Sequence, residues 1–397
     1  MRIILINIPG TINILDKSDM KVVNSPKSLL IILAITITYG CSNEPASTKN
    51  ARSLTEQQIL GKQLFFEARF SEPTGQACAS CHNPDAGFAR AQEIPATPPV
   101  SPGAVVQRFG NRNTPTISYA AYIPELHFDS KEKHYVGGLF LDGRENSLES
   151  QAKGPLFNPV EMAVPDKTVL FQRLKSLGYE AAFKKVYGEK VFSDADTALE
   201  KFVLSIAAYE RSFEFSPFNS KYDAYLNGKA KLTKQEQRGL KVFEAEDKGN
   251  CAACHPSQPD AENKRPLFTD YTYDNLGVPA HPKNPFYKQP TQFNPDGNRY
   301  IDTGLGTIVK DTSHNGKFRV PSLRNIALTA PYMHNGVFET LKEVVDFYNT
   351  RDIKKWPKPE VAENVNKDEL GDLKLTENEV DDLVAFMETL TDGYVIK

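Results

Sequence analysis

One five-residue pattern occurs twice in this chain of 397 residues. It reads Cys78-Ala79-Ser80-Cys81-His82 in the first half and Cys251-Ala252-Ala253-Cys254-His255 in the second. In a C-x-x-C-H pattern the two thiols add to the vinyl groups of a porphyrin, and the histidine becomes the proximal ligand of its iron. C-x-x-C also occurs in zinc sites and in thioredoxin-like dithiols. Paired zinc knuckles are typically about 15–20 residues apart, far closer than these two motifs, and a dithiol site does not explain a histidine after each second cysteine. The pattern therefore predicts two covalently bound c-type haems.

The first 41 residues are typical of an export segment. Lys21 and Lys27 precede an apolar run over residues 29–39, which is too short to span a bilayer comfortably, and Cys41 follows a glycine. A cysteine in this position resembles the acylated residue of a bacterial lipoprotein, and an ordinary signal peptide is the alternative. Both interpretations place the mature protein in the periplasm. Residues 42–53 would then be a polar tether, with Cys41 as a lipid anchor in the lipoprotein case.

The length and charge of the chain limit its function class. A chain of 397 residues is long enough for two domains that each bury a core. The formal net charge of −3 is nearly balanced, which argues against a nucleic-acid partner. The 27 prolines and 24 glycines indicate long irregular connections between the helices.

The sequence before each haem motif is repeated. A Leu-Thr start, a glycine and a phenylalanine recur at equal offsets, as Leu54, Gly61 and Phe65 and again as Leu232, Gly239 and Phe243. This duplication predicts a mainly α protein, with two cytochrome-c-like helical haem domains in tandem and long loops. We place the domain of the first haem at residues 54–215 and that of the second, electron-transfer haem at residues 216–397. The boundary is set by Ser216 and Pro217.

Apolar periodicity predicts further helices over residues 169–176, 179–187, 195–213, 340–348 and 377–390. In the repeated segments, Thr55 and Thr233 are expected to cap helices, and Thr376 is expected to cap the last helix. Between His255 and Phe318 no period is clear, so we expect a loop with a short hairpin.

The ligands available to the first iron bear on function. An electron carrier needs both irons closed, whereas an enzyme that acts on peroxide needs an open position on one iron. Residues 83–113 contain neither histidine nor methionine, so the first haem is the candidate open site. Splitting the O–O bond also needs a group that moves a proton. Glu161 lies in an apolar, proline-kinked loop over residues 151–162, where desolvation would raise its pKa. A solvated loop carboxylate is the alternative interpretation.

Ordered motifs over residues 54–390 resemble the bacterial di-haem cytochrome c peroxidase and MauG family. Besides the haem motifs, they are Asn113-Thr114-Pro115-Thr116, Asp142-Gly143-Arg144, Gln151-Ala152-Lys153-Gly154-Pro155, Val160-Glu161-Met162, Pro321-Ser322-Leu323-Arg324-Asn325 and Leu328-Thr329-Ala330-Pro331-Tyr332-Met333-His334. The resemblance implies that Glu161 is the distal acid-base residue of the first haem and that Gln151 lies beside it. It also implies a calcium ion between the haems, bound by Asn113 and by the backbone of Thr329 and Pro331.

The chain departs from the family pattern at three places. No displaceable histidine precedes Asn113, so the first haem should be ready in the oxidised protein. Fourteen residues after His334, where typical family peroxidases have a methionine ligand of the second haem, the chain has Tyr348. A phenolate favours high iron oxidation states and lowers the reduction potential. The alternative is that Tyr348 only packs and that Met333 or another group is the ligand. Leu141 replaces the tryptophan that family members commonly place between the haems.

The resemblance implies a peroxidase that reduces hydrogen peroxide with electrons from a small periplasmic cytochrome c or cupredoxin. One alternative is MauG-like oxidation of a protein or small molecule, with a His/Tyr-ligated second haem. Another is a non-catalytic di-haem electron carrier. Family peroxidases often form homodimers, so the resemblance leaves a homodimer open.

Overall fold

The computed structural model describes residues 5–7, 11–13, 52–91, 98–259 and 264–396, the first two segments as backbone only. Residues 1–51 and 52–397 form two separate units. In the first unit, strand β1 (Leu5–Asn7) pairs antiparallel with β2 (Thr11–Asn13). Cys41, the predicted lipid anchor, lies outside the described residues, as do most of the export segment and tether.

The second unit is mainly α, as predicted. Its helices are α1 Glu56–Phe65, α2 Cys78–Cys81, α3 Leu148–Phe157, α4 Lys167–Ser176, α5 Glu180–Tyr187, α6 Ala195–Glu210, α7 Lys221–Leu226, α8 Lys234–Glu244, α9 Leu305–Val309, α10 Leu341–Thr350 and α11 Glu377–Glu388. Two antiparallel pairs complete it, β3 His127–Asp129 with β4 His134–Val136, and β5 Tyr273–Asp274 with β6 Phe318–Arg319. In the described part of the chain, no helix combines the length and apolar character needed to cross a bilayer.

Side-chain caps fix the starts of the repeated helices. The Thr55 hydroxyl accepts a hydrogen bond from the backbone N–H of Gln58 at 3.2 Å, and Thr233 does the same with Glu236 at 3.2 Å. The Gln58 and Glu236 side chains accept in return from the backbone N–H of each threonine, which completes a capping box. Thr376 caps α11 in the same way, so all three predicted caps are confirmed.

The repeated glycines allow two close helix crossings. A Cβ added to Gly61 would lie 1.9 Å from the carbonyl oxygen of Ser205, and one added to Gly239 would lie 1.9 Å from that of Asp382. The backbones of α1 and α6, and of α8 and α11, therefore touch at these positions. The repeated Phe65 is fully buried beside the first crossing. The repeated sequence therefore forms the same close crossing of two helices twice, once at Gly61 and once at Gly239.

Two apolar clusters lie on either side of the predicted domain boundary at residue 216. The first lies between Leu60 and Phe215, and the second between Tyr222 and Leu390. Residue 216, the predicted boundary, falls between them. Residues 52–397 nevertheless form one compact unit, so the division into two haem domains stays a prediction.

The structure corrects two expectations. All five periodic helices are found within three residues of their predicted ends, but Gln151 lies on α3 rather than in a loop. A proline inside a helix is unfavourable, which argued against a helix at Pro155. In the structure, Ser147 caps the start of α3 and α6 packs against this helix, and both contacts stabilise it. Between His255 and Phe318, β5 pairs with the distant β6 at the end of the stretch instead of forming a local hairpin, and α9 was not predicted. Gly306 and three β-branched residues give α9 a low helix propensity.

Candidate functional site

Each C-x-x-C-H motif forms one turn of helix. The first turn is α2, and the second is a 3-10 turn over Cys251–Ala253. The backbone N–H of His82 donates to the carbonyl of Cys78 at 2.9 Å, and that of His255 donates to Cys251 at 2.9 Å. A single turn therefore brings both cysteines and the histidine of each motif together.

A backbone carbonyl orients each histidine ring. The Nδ1 atom of His82 lies 3.0 Å from the Phe88 carbonyl oxygen, and that of His255 lies 2.8 Å from the Phe268 oxygen. Because a carbonyl oxygen only accepts, Nδ1 carries the proton and Nε2 keeps the lone pair that a metal needs. Burial lowers the pKa of both imidazoles, which favours the neutral form that binds metals.

Each motif lines its own cavity. The first cavity, about 200 Å³, has Cys78, Cys81 and His82 in its wall, and the second, about 290 Å³, has Cys251, Cys254 and His255. One water needs roughly 10–15 Å³, so neither cavity is a packing defect. The four motif cysteines are free thiols. Free thiols, an oriented imidazole and a large, mainly apolar cavity are what a covalently attached haem requires, so the residues present fit two c-type haems.

The first cavity contains the predicted acid-base group. Gln151 and Glu161 both line it. The side-chain amide of Asn158 donates to Glu161 Oε1 at 2.8 Å, and no described group hydrogen-bonds to Oε2. Burial raises the pKa of Glu161, although the Arg144 charge opposes the effect. One oxygen of this carboxyl is thus fixed, while the other has no protein partner.

Methionine is also present in the wall of the first cavity. Met162 lines it but is 5% exposed and packs within the first apolar cluster. In the described segments of 83–113, no histidine or methionine faces His82, consistent with the sequence.

The second cavity contains both sequence candidates for its distal ligand, Tyr348 and Met333. Burial raises the pKa of the Tyr348 phenol, and nearby Cys251 acts in the same direction. None of the described residues hydrogen-bonds to the Tyr348 hydroxyl. The phenol oxygen is therefore free to bind a group that occupies the cavity.

The two cavities share a wall. Leu141 and Asn113 line both of them, so Leu141 lies where a side chain would separate two haems. The Asn113 amide nitrogen donates to the Pro331 carbonyl at 2.6 Å, while its buried Oδ1 has no hydrogen-bond partner. Thr329, the third predicted calcium residue, lines the second cavity.

Comparisons with known proteins agree with this geometry. A model of the family "Di-haem cytochrome c peroxidase" matches residues 55–231. The methylamine utilization protein MauG of Paracoccus denitrificans is 40% identical over 349 residues, which cover 84% of this chain and 88% of that protein. The chain belongs to the di-haem cytochrome c peroxidase and MauG family. It is therefore an oxidoreductase of the di-haem type.

Other members of this family resemble the chain over most of its length. The cytochrome c551 peroxidase of Pseudomonas aeruginosa is 33% identical, with 81% of this chain and 80% of that protein covered. The crystal structure of the diheme peroxidase BthA from Burkholderia thailandensis matches with a TM-score of 0.75 and 35% identity, covering 86% of this chain and 87% of that one. A tyrosine-to-methionine variant of BthA matches with a TM-score of 0.73 and 34% identity, covering 86% and 87%.

Sequence reasoning missed Glu210 on α6. This carboxyl is 5% exposed and lines the first cavity, and its Oε2 has no hydrogen-bond partner. Burial raises its pKa to about 8. Phe202, Ile206 and Glu210 recur at intervals of four residues and all line this cavity, so the helical period places the carboxyl on the apolar face. This spacing is the sequence signal from which Glu210 could have been predicted.

Proposed function

We propose that this protein reduces hydrogen peroxide to water, with electrons from a small periplasmic cytochrome c or cupredoxin. The observation that carries the proposal is Glu161, a carboxyl with a raised pKa and one unpartnered oxygen in the cavity that His82 lines. When bound, the first haem would supply an iron for peroxide and a path for electrons. His82 would bind that iron through Nε2.

In this proposal Glu161 moves the proton that peroxide cleavage requires. Its Oε2 would accept a proton from one peroxide oxygen and return it to the other, which then leaves as water. Two electrons and two further protons complete the reduction of one peroxide to two waters. Asn158 would keep the carboxyl in place, and Gln151 on α3 would position peroxide from the same wall.

Replacing Glu161 tests this role. In Glu161→Gln the amide keeps the shape but cannot shuttle the proton, so we expect the rate of reaction with peroxide to fall by about 10²- to 10⁴-fold. Stopped-flow spectroscopy of the haem-loaded protein measures that rate. Glu200→Gln, which changes an exposed carboxylate on α6, is the matched control and should react like wild type. Wild-type rates in Glu161→Gln would remove Glu161 from the mechanism.

A second candidate function is MauG-like oxidation of a protein or small molecule. The 40% identity to the MauG of Paracoccus denitrificans makes it a candidate, but identity alone does not separate the two functions, because two other MauG proteins are 28% identical and the Pseudomonas aeruginosa peroxidase is 33% identical. We propose Tyr348 as the distal ligand of the second haem in either case, because its hydroxyl otherwise has no partner in that wall. Steady-state turnover with reduced cytochrome c separates the two: rapid peroxide-dependent oxidation of the cytochrome supports the peroxidase, and its absence supports substrate oxidation.

Tyr348→Met tests the ligand. Thioether sulfur stabilises ferrous iron better than phenolate does, so the potential of the second haem should rise. Spectroelectrochemical titration measures both potentials, and the first should stay close to its wild-type value. A second-haem potential that does not move would show that Tyr348 is not bound and would leave Met333 as the candidate.

We further propose a calcium ion at Asn113, Thr329 and Pro331. The unpartnered Oδ1 of Asn113 beside a backbone carbonyl supports it, because Ca²⁺ favours neutral oxygens and water when carboxylates are absent. Within the described residues, no group of three or more His, Cys, Asp or Glu side chains is placed to hold a metal. Metal analysis of dialysed protein should find about one calcium per chain, and none would contradict the site.

The periplasmic location and the lipid anchor at Cys41 are also proposals. They are supported by the basic and apolar pattern of residues 21–41. Mass spectrometry of the mature N-terminus would detect an acylated Cys41, and an unmodified cleavage product would contradict the anchor. A homodimer stays a prediction that sedimentation of the holoprotein can test.

A further inference from the structure

Arg319 occupies an unusual position in this molecule. It is the second residue of β6, is 9% exposed, and lies in the walls of both cavities. Its backbone N–H donates to the Leu141 carbonyl at 2.9 Å, so the main chain is tied to the partition between the cavities. Arg319 is therefore part of the wall that the two cavities share.

Other buried arginines here are paired with carboxylates. Arg324 hydrogen-bonds to both oxygens of Asp223, at 3.0 and 2.9 Å. Arg112 binds Asp302 through two nitrogens, each at 2.7 Å, and Arg351 pairs with Asp352. These pairs satisfy the rule that a buried charge needs an opposite charge and good hydrogen bonds.

Arg319 has no such partner among the described residues. Its Nε makes no hydrogen bond, and one Nη lies 3.4 Å from the Phe140 carbonyl oxygen, which is a weak contact. The neighbouring ionisable groups are the phenols of Tyr271 and Tyr273, and burial raises the pKa of both, so they stay uncharged. The Tyr273 hydroxyl already donates to the Gly137 carbonyl.

An arginine side chain keeps its positive charge even when it is buried. Removing that charge from water without a counter-charge is strongly unfavourable, and such groups in proteins are paired or bind ligands. Among the described residues, none offers an anion to Arg319, although Arg319 lines two cavities that fit haem. A haem carries two propionate carboxylates on the edge opposite the vinyl groups that join the cysteines.

We propose that Arg319 binds a haem propionate carboxylate at the wall between the two cavities. Guanidinium and carboxylate groups match in a planar, two-bond geometry, which the two Nη atoms of Arg319 can supply, since only one of them has a hydrogen-bonding contact, at 3.4 Å, with the described residues. The pairing would orient the porphyrin edge toward the partition and place one fixed positive charge near both irons. Arg319 would thus be a positioning residue that also holds both reduction potentials up, because a cation disfavours the ferric state.

The direct test is a crystal structure of the haem-loaded protein. We expect a propionate oxygen within hydrogen-bond distance of the Arg319 guanidinium, at about 2.8 Å. A structure in which the propionates of both haems bind other groups and leave Arg319 unpaired, or paired with a solvent anion, would overturn the proposal.

Variants give a second, independent readout. Arg319→Leu should lower the midpoint potential of at least one haem, and Arg319→Lys, which keeps the charge, should restore most of that shift. Lys317→Met removes a positive charge two residues away that lines neither cavity, and it should leave both potentials in place. If Arg319→Leu fails to load haem, the crystal structure of the wild type and the potentials of Arg319→Lys still test whether Arg319 binds a propionate. A loaded Arg319→Leu protein with both potentials unchanged would contradict the inference.

This inference rests on the two haems and not on peroxide reduction. Failure of the Glu161→Gln test would leave the predicted contact and potentials of Arg319 intact, and failure of the Arg319 tests would leave the role of Glu161 intact. The two sets of results are therefore distinguishable.

Discussion

At the residue scale, two carboxyl groups share the first cavity but differ in their surroundings. Glu161 has the amide of Asn158 as a partner and the Arg144 charge nearby, whereas Glu210 forms no hydrogen bond within the described residues. Burial raises the pKa of Glu210 from its ordinary value to about 8. At neutral pH Glu210 is therefore held mainly in its protonated form.

The pH dependence of stability tests this environment. The unfolded carboxyl ionises near its ordinary pKa of 4.5 and the folded one near 8, so Glu210 disfavours folding increasingly between these values. Its favourable contribution is complete below pH 4.5 and is lost as the pH rises through 8. Glu210→Gln should remove this loss, so its stability relative to wild type should grow by roughly 1 kcal/mol per pH unit in that window. Melting curves from pH 5 to 8 measure the difference. A constant difference, like that of Glu200→Gln, would contradict the assigned pKa.

Residue-scale features were predictable only in part. The haem cysteines and histidines follow from a local pattern, and Glu161 was found because an apolar loop and a family motif coincide there. Arg319 and Glu210 could not be found in that way. Arg319 lies two residues before the motif that begins at Pro321, and the helical period places Glu210 on an apolar face, but the importance of both depends on a missing hydrogen-bond partner that only the three-dimensional structure shows.

At the element scale, the fold depends on the two crossings of α1 with α6 and of α8 with α11. The capped helix starts and the spacing from threonine to glycine were visible in the sequence, because caps and periodicity are local signals. The sequence did not show which helix each repeated helix would cross. The sequence could not show that Gly239 meets Asp382, which is far away in the chain.

Substituting a crossing glycine tests the duplication. In Gly239→Ala the new methyl group would meet the backbone carbonyl of Asp382, which cannot rotate away, so the helices must separate. We expect a loss of about 1–3 kcal/mol, as for other overpacked sites. Lys241→Ala changes an exposed side chain of the same helix and should alter stability by less than about 0.5 kcal/mol. Equal melting temperatures for Gly239→Ala and wild type would show that the crossing is looser than described.

At the scale of the whole molecule, the two C-x-x-C-H motifs line cavities with different walls. The first has the Glu161 carboxyl and the His82 imidazole in its wall, and the second has the Tyr348 phenol and the Met333 thioether. A partition of Leu141, Asn113 and Arg319 lies between them. The duplicated motif predicted the likeness of the units, and the family motifs predicted part of the difference.

The central claim is that one iron is open and the other is closed. An EPR spectrum of the oxidised holoprotein tests it most directly, before and after addition of cyanide or hydrogen peroxide. We predict one high-spin ferric signal, from the haem at His82, that disappears on addition, and one low-spin signal that does not respond to cyanide. Two low-spin irons that ignore both reagents would contradict the account and would leave an electron carrier, with Met162 as the first residue to examine as a ligand.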